Sequence, residues 1–277
     1  MPKEIVYKVE EGMDRKNVLC TTYQMRNFYD QMRDGFFTNL DIMNYIQHYA
    51  AAQLAKKKTN VVDVCCGRSL MLPLLRYYAK NIGSYTGIDI SKKNLREALR
   101  GAVKKNLTQN DIRSYYPFPV QWKLGNVAGM SKVIPEGFAD FVIYTSAIEH
   151  MHKDDGYQSL IECGKIMSDS AVMFLSCPNT PGNGYKTQYK AHVYEWGYRE
   201  LKEAFSQIGF EVIQEVGLVM GIRDMDKFYE NQPGPVRELY QKIKAYLPSP
   251  WLTVIMSIPF PEASKEILFI VKKKGEK

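Results

Sequence analysis

The 277-residue chain lacks any apolar run of the roughly 18 or more residues that a membrane-spanning helix takes; the run "WLTVIMSI" at 251–258 is only eight long. Its start, "MPKEIVYKVEEGMDRK", is charged where a signal peptide turns apolar, so a cytoplasmic protein with no membrane span is expected. Cysteine is scarce, and the five residues (Cys20, Cys65, Cys66, Cys163, Cys177) are odd in number with no CxxC spacing. A disulfide framework and a zinc ribbon are thereby excluded, and reduced thiols are expected. There are no internal repeats and no low-complexity tracts. A strong charge of one sign is missing too: the net +7 sits largely in short lysine runs at 56–58, at 104–105 and in the tail "VKKKGEK". Such runs most often serve solubility, although phosphate binding uses the same charges.

What is present is a large apolar share, 45%, enough for the core of one sizeable α/β domain. From "TTYQMRNFYDQMRDGFF" to "LDIMNYIQHYAAAQLAKKK" apolar residues recur three and four apart, which predicts two helices. Short β-rich runs follow at 60–65, 84–90, 118–124, 139–145 and 171–177, with helices expected over 70–81, 91–105 and about 155–168. Ser91 is an apt N-cap for the second of these. Strand and helix alternation of this kind means right-handed crossovers and a mostly parallel, twisted sheet. Later come a Pro- and Gly-marked loop, the helix "EWGYRELKEAFSQIG" ended by Gly209, the strand "FEVIQEVGL", about 45 residues from Val219 to Ala263, and a last strand "EILFIVKKK". A connection that long is usually functional or a subdomain.

The stretch "NVVDVCCGRS" at 60–69 leads from a strand into a small-residue loop and a helix start. In open parallel sheets ligands sit beyond the carboxyl ends of the central strands, where loop and helix N-terminus offer backbone N–H groups. Asp63 lies near the end of the first strand, Gly67 allows close approach, and Ser69 is placed to cap the next helix. Asp89 ends the second strand 22 residues after Gly67, beside the loop, where a carboxylate can accept hydrogen bonds from both ribose hydroxyls. A nicotinamide dinucleotide site needs G-x-G-x-x-G, and "CCGRSL" fails that pattern at two of three positions.

At these residues the chain resembles the class I S-adenosylmethionine-dependent methyltransferases. "DVCCGRS" keeps the acid and the middle glycine of that family's first motif, with Cys65 and Ser69 in place of the outer glycines. The resemblance continues through "GIDIS", "LGNVAG" and "FVIYTSAIEHM", and spans roughly residues 40–217. It implies a Rossmann-like seven-stranded, mostly parallel sheet, divided into an N-terminal helical cap (1–58), a cofactor-binding core (59–218), a substrate-covering insertion (219–263) and a last strand with a basic tail (264–277). It also implies S-adenosyl-L-methionine as cofactor, leaving as S-adenosyl-L-homocysteine. Asp63, Cys65 and Gly67 would surround the methionine moiety, Asp89 the ribose and Asn126 the adenine. Ile90, Val127 and Thr145 would add contacts, and a lid of N-terminal helices would contribute Arg26 and Tyr29, with Tyr23 beside them.

Of only four histidines, three follow the fourth or fifth strand: His150 and His152 in "IEHMHKDD", and His192 in "YKAHVYEW". The topology brings both segments to the same carboxyl edge. Histidine beside a carboxylate is the commonest acid/base pair, so Glu149, His150 and His192 are the candidates for orienting the acceptor or removing its proton. "SAIEHM", "SCPNT" and "HVYEW" also resemble the small-RNA 3′-terminal 2′-O-methyltransferases, which hold a divalent metal through Glu-x-x-Glu-His and a later histidine. Glu149, His150 and His192 match three of those four ligands, and Ser146 replaces the first glutamate. Losing a carboxylate weakens a hard-metal site, so hydrogen-bonded substrate contacts without metal are expected. DNA-methylation classes fit poorly: "YTSA" stands where an Asn-Pro-Pro-Tyr-like motif belongs, and "SCPN" reverses the Pro-Cys order of a cytosine-C5 nucleophile. The segment "GNGYKTQYKAHVYEWGY" interleaves aromatics with Lys186 and Lys190, suiting either stacked bases or the wall of an apolar pocket. The expected acceptor is an O or N nucleophile on a small molecule, with the ribose of RNA as the alternative. Composition names neither the acceptor nor the oligomeric state.

Overall fold

The computed structural model describes residues 38–101 and 115–275. The first expected helix, the lid candidates Tyr23, Arg26 and Tyr29, and the far end of the helix expected over 91–105 lie outside the described residues.

Helix α1 (Asn39–Ala55) opens on a capping box: Asp41 N–H donates to Thr38 Oγ1 at 3.2 Å, and Thr38 N–H donates back to Asp41 Oδ2 at 2.8 Å. Strands β1 (Asn60–Val64), β2 (Ser84–Asp89), β3 (Val120–Leu124), β4 (Ala139–Thr145) and β5 (Met167–Pro178) run parallel in the spatial order β3-β2-β1-β4-β5. The near-continuous apolar runs of β1 and β4 are what a strand buried on both faces requires. Two further strands complete the seven. β6 (Phe210–Val219) lies at the edge, and β7 (Glu266–Lys273) inserts antiparallel between β5 and β6. The mostly parallel Rossmann-like sheet expected from the sequence is therefore present.

Between the strands lie α2 (Leu72–Tyr78), α3 (Lys92–Gly101), α4 (Lys153–Ile166) and α5 (Tyr198–Gln207). Ser91 caps α3 as expected, accepting from Asn94 N–H at 3.1 Å. Helix α2 is shorter than the predicted 70–81, because the backbone is still left-handed at Ser69 and the helix starts only with Pro73 in its first turn. Ser69 does not cap it. Its hydroxyl instead accepts from Trp122 Nε1 at 2.7 Å. One face of the sheet packs on α4 and α5 through Leu160, Ile166, Leu201 and Phe205; the other packs on α1 and α2 through Ile42, Ala52, Leu72 and Leu75.

The stretch between β6 and β7 forms α6 (Ile222–Glu230), α7 (Gly234–Lys244) and α8 (Ser249–Ile255), so "WLTVIMSI" enters a helix. These helices share a small core of their own, in which the rings of Tyr229 and Tyr240 stack 4.2 Å apart. Among the described residues no helix is long and apolar enough to cross a membrane.

Candidate functional site

At the ends of β1 and β2 the backbone does something the sequence does not announce. Cys65, Gly67 and Ser69 all adopt the left-handed conformation, with φ of 54°, 53° and 56°. These are the first-motif positions where the family pattern places alternating glycines, and two non-glycine residues here accept the strain that glycine avoids. A Cβ built on Gly67 meets nothing within 4 Å, so open space faces the loop at that point. Gly87 on β2 serves a different end: a Cβ there would lie 2.7 Å from Cys66 Sγ, and its absence lets the thiol seat against the strand. Burial pushes both Cys65 and Cys66 thiols well above the usual range, which makes them packing groups rather than nucleophiles.

The carboxylates of this region are held by the chain itself. Asp89 Oδ2 accepts from Gly67 N–H at 2.9 Å and Oδ1 from Ser91 N–H at 2.7 Å, which ties the end of β2 to the loop. Burial raises its pKa, against the lowering effect of the Ser91 and Gly67 amides and the Asn94 side chain. Asp63 is buried, and its Oδ2 accepts from Tyr85 Oη at 2.6 Å. Its carboxyl is pushed up to about 7, first by burial, then offset by the Tyr85 bond and raised again by the Asp89 charge. Asn126 accepts from Ala128 N–H at 2.9 Å and so starts the 3₁₀ turn at Val127–Lys132, with Val127 buried beneath. Ile90 is 63% exposed beside Asp89, free to cover a ligand with an apolar surface. Thr145 ends β4, paired with Ser176.

The histidines and acids beyond β4 and β5 do converge. Ser146 turns the chain sharply, with φ 47° and its N–H donating to Ser176 O at 2.9 Å. The 3₁₀ turn Ile148–His150 follows. Glu149 O accepts from Val193 N–H at 2.8 Å and Tyr194 N–H at 3.2 Å, and this backbone clasp draws the 191–194 segment onto the β4 loop. The rings of His150 and His192 consequently sit 5.0 Å apart, nearly perpendicular. His150 Nδ1 lies 3.3 Å from Ala191 O, and His192 Nδ1 lies 2.5 Å from Glu195 Oε1. Both contacts favour the Nδ1–H tautomer and leave Nε2 as the basic nitrogen. Ligand atoms of Glu149, His150 and His192 all lie within 4.8 Å of one another, a spacing that could also hold a metal ion.

Burial shapes their chemistry. It lowers His150 to about 4, helped by the His192 charge and opposed by the Ala191 carbonyl, so His150 is a neutral imidazole at pH 7. It raises Glu149 to about 7, with His192 and the residue's own backbone N–H pulling down and Glu195 pushing up. Glu149 Oε2 is buried and has no hydrogen-bond partner among the described residues. His152, by contrast, is exposed at the start of α4, and His48 is buried in α1.

Three contributors are not singled out by the sequence. Glu195, fully buried, accepts from His192, from the Thr180 hydroxyl and from Gln188 N–H. Its i,i+3 spacing from His192 was the available signal. Gln47 of α1 reaches the same edge, donating to Ser146 Oγ at 3.4 Å and accepting from Ser176 Oγ at 2.6 Å. Glu266, the first residue of β7, arrives there because that strand is antiparallel; its register partners are Pro178 and Val219. Together with Glu149, His150 and His192, Glu266 lines a cavity of about 330 Å³ whose apolar wall includes Leu40, Met43 and Met220. Of the aromatic segment, Trp196 and Tyr194 are buried in packing, Tyr185 is exposed, and Tyr189, also exposed, lines the cavity.

The fold has counterparts among solved structures. A SAM-dependent methyltransferase of Archaeoglobus fulgidus superposes with a TM-score of 0.52 at 15% identity, over 89% of this chain and 99% of that one. The small RNA methyltransferase HEN1 gives 0.55 at 16% identity over 84% of this chain, but only 25% of its own. The [4+2]-cyclase SpnF shares the fold as well, at 0.53 and 14% identity over 82% of this chain and 81% of that one. No curated protein matches. The family described as "Methyltransferase domain" matches residues 39–215, well over half of the chain, with both the left-handed loop and the Glu149–His150–His192 cluster inside the match. The chain belongs to this methyltransferase-domain family.

Proposed function

We propose that the protein transfers a methyl group from S-adenosylmethionine to an O or N nucleophile on a small molecule. The observation that carries the small-molecule reading is the cavity of about 330 Å³ beside Glu149, His150 and His192, which is of metabolite size and apolar on one wall. The residues at the β1 and β2 ends fit the cofactor: a left-handed loop leaves open space at Gly67, and Asp89 stands beside it with its carboxylate held in place. When bound, the cofactor supplies a methyl group already activated on a sulfonium. What remains for the chain is alignment and proton removal. In this reading Asp89 meets the ribose, Asn126, Val127 and Ile90 the adenine side, Asp63, Cys65 and Gly67 shape the methionine end, and Thr145 closes the floor. His150 Nε2, neutral at pH 7, takes the acceptor's proton, His192 backed by Glu195 orients it, and Glu149 steadies positive charge developing on the nucleophile. The insertion at 219–263 covers the acceptor, since Val219, Met220 and Gly221 at its start line the cavity. Arg26 and Tyr29 are assigned to a lid on the cofactor by sequence resemblance alone.

The test is calorimetric titration with S-adenosylhomocysteine beside NAD: micromolar binding of the former alone is expected, and binding of neither removes the assignment. A second reading, methylation of an RNA ribose with a divalent ion, is favoured by the close spacing of the Glu149, His150 and His192 ligand atoms. Those three residues would hold the ion, with Ser146 leaving the set one carboxylate short of the four-ligand pattern. RNA affinity that falls steeply with salt, together with methyl transfer abolished by chelation, would select that reading.

A further inference from the structure

The cavity beside the histidines is unusual in its charge. Two carboxylates line it, Glu149 and Glu266, a third, Glu195, is bonded to His192, and they are not equally provided for. Glu195 is satisfied by Thr180, Gln188 and His192. Glu149, 98% buried, lines the cavity, and its Oε2 has no hydrogen-bond partner among the described residues. Glu266 lines the same cavity, and its Oε2, closed off from solvent, is likewise without a hydrogen-bond partner among them. The two acids feel each other, since the charge of Glu149 adds to burial in raising Glu266.

Of the cations nearby, His192 acts on both acids through its charge, lowering each. Lys265 lies at the rim, with its Nζ 3.1 Å from Asp224 Oδ2 and both groups largely exposed. His192 directs Nδ1 to Glu195. A buried carboxylate oxygen without a donor destabilises the fold, and a chain carrying two of them side by side has groups that its own packing does not use. One wall is apolar, Leu40, Met43, Val219 and Met220, with the Tyr189 ring beside His192, and Asn39, Asn44 and Gln188 add neutral polar groups. Acid at one side and hydrocarbon at the other match a small molecule with a cationic head and an apolar body.

Resting on the methyltransferase reading, we propose that the acceptor carries a protonated amine, and that this ammonium seats between Glu149 and Glu266 while the apolar body lies against Leu40, Met43 and Met220. Glu266 is then a specificity-determining residue. The antiparallel β7 places it at an edge that otherwise collects only strand ends.

The experiment uses the full chain saturated with S-adenosylhomocysteine, titrated calorimetrically with phenethylamine and with its neutral isostere phenethyl alcohol. The amine should bind at least tenfold tighter than the alcohol, and Glu266→Gln should erase that ratio. Equal binding of the two, binding of neither, or a ratio that survives in the variant overturns the proposal. Stoichiometric Mn²⁺ binding that persists in the variant and excludes the amine overturns it as well, in favour of a metal. A ligand-free measurement at pH 8 guards against misfolding: Glu266→Gln should hold or raise Tm, because the amide keeps the shape of the side chain and removes the cost of ionising a buried carboxyl, whereas a fall in Tm marks a structural carboxylate and overturns the idea. Failure of the S-adenosylhomocysteine step itself sinks the methyltransferase reading, and that result is read separately from the amine preference.

Discussion

Beyond β1 and β2 the polar side chains are met by other parts of the chain: Asp63 by Tyr85, Asp89 by two backbone amides, Ser69 by Trp122 and Asn126 by Ala128. A short way along the same edge, beyond β4 and at the start of β7, two buried carboxylate oxygens have no hydrogen-bond partner among the described residues. The first region is organised before any ligand arrives, at the expense of left-handed backbone at Cys65 and Ser69. The second leaves those two oxygens uncommitted. A ligand that never changes can be met by a rigid, self-satisfied cradle, while an acceptor that sets specificity must find partners the fold has withheld from itself. Stability and function therefore pull apart in the second region and not in the first.

That contrast can be broken in four places. The largest effect is expected from His150→Ala, which should lower kcat by about 10²–10⁴-fold, the usual worth of a general base, with the Kd for S-adenosylhomocysteine little changed. A collapse of cofactor affinity instead would show that the two regions are not separable. Next is Glu149→Gln. The carboxyl is raised from 4.5 to about 7 in the folded protein. The unfolded chain therefore ionises first, and stability falls as pH climbs from about 4.5 to about 7, by about 3 kcal/mol for this group. Urea titrations at pH 5 and pH 8 should show the wild-type difference shrinking in the variant; an undiminished difference would return Glu149 to an ordinary carboxylate.

A smaller effect is expected in the cradle. Asp89→Ala should weaken S-adenosylhomocysteine by well over tenfold, about 1.4 kcal/mol or more, and an unchanged affinity would remove Asp89 from the site. Smallest is Gly67→Ala: with φ at +53° and open space around the new Cβ, the stability loss should be only about 1 kcal/mol, the cost of left-handed backbone. A far larger loss in denaturant unfolding would mean that the loop is crowded rather than open.

Much of this was legible in the residues. Each of the seven strands appears as a short β-rich run, β1 and β4 nearly continuous in apolar residues because they are buried on both faces, and the Gly67-to-Asp89 spacing follows from the length of a strand-helix-strand unit. The meeting of His150 with His192 followed from parallel topology alone. Glu266 was not legible, since a glutamate opening a strand looks solvent-facing until one knows that the strand runs backwards between two others. Nor was the conformation of Cys65, Ser69 and Ser146, because left-handed backbone at non-glycine residues is imposed by tertiary packing rather than by propensity. Ser69 was misread as a cap because the competing partner, Trp122, lies two strands away in the sheet order.

The reversed course of β7 has a consequence for how such a protein can change. Strands β6 and β7 are hairpin partners, so Val219 and Glu266 are register neighbours, and all of α6, α7 and α8 hangs between two points already fixed by the sheet. Lengthening a loop whose ends are pinned adds little entropy cost, well under 1 kcal/mol per doubling. The three helices are in effect an exchangeable cartridge: one set can be swapped for another without re-registering a single strand.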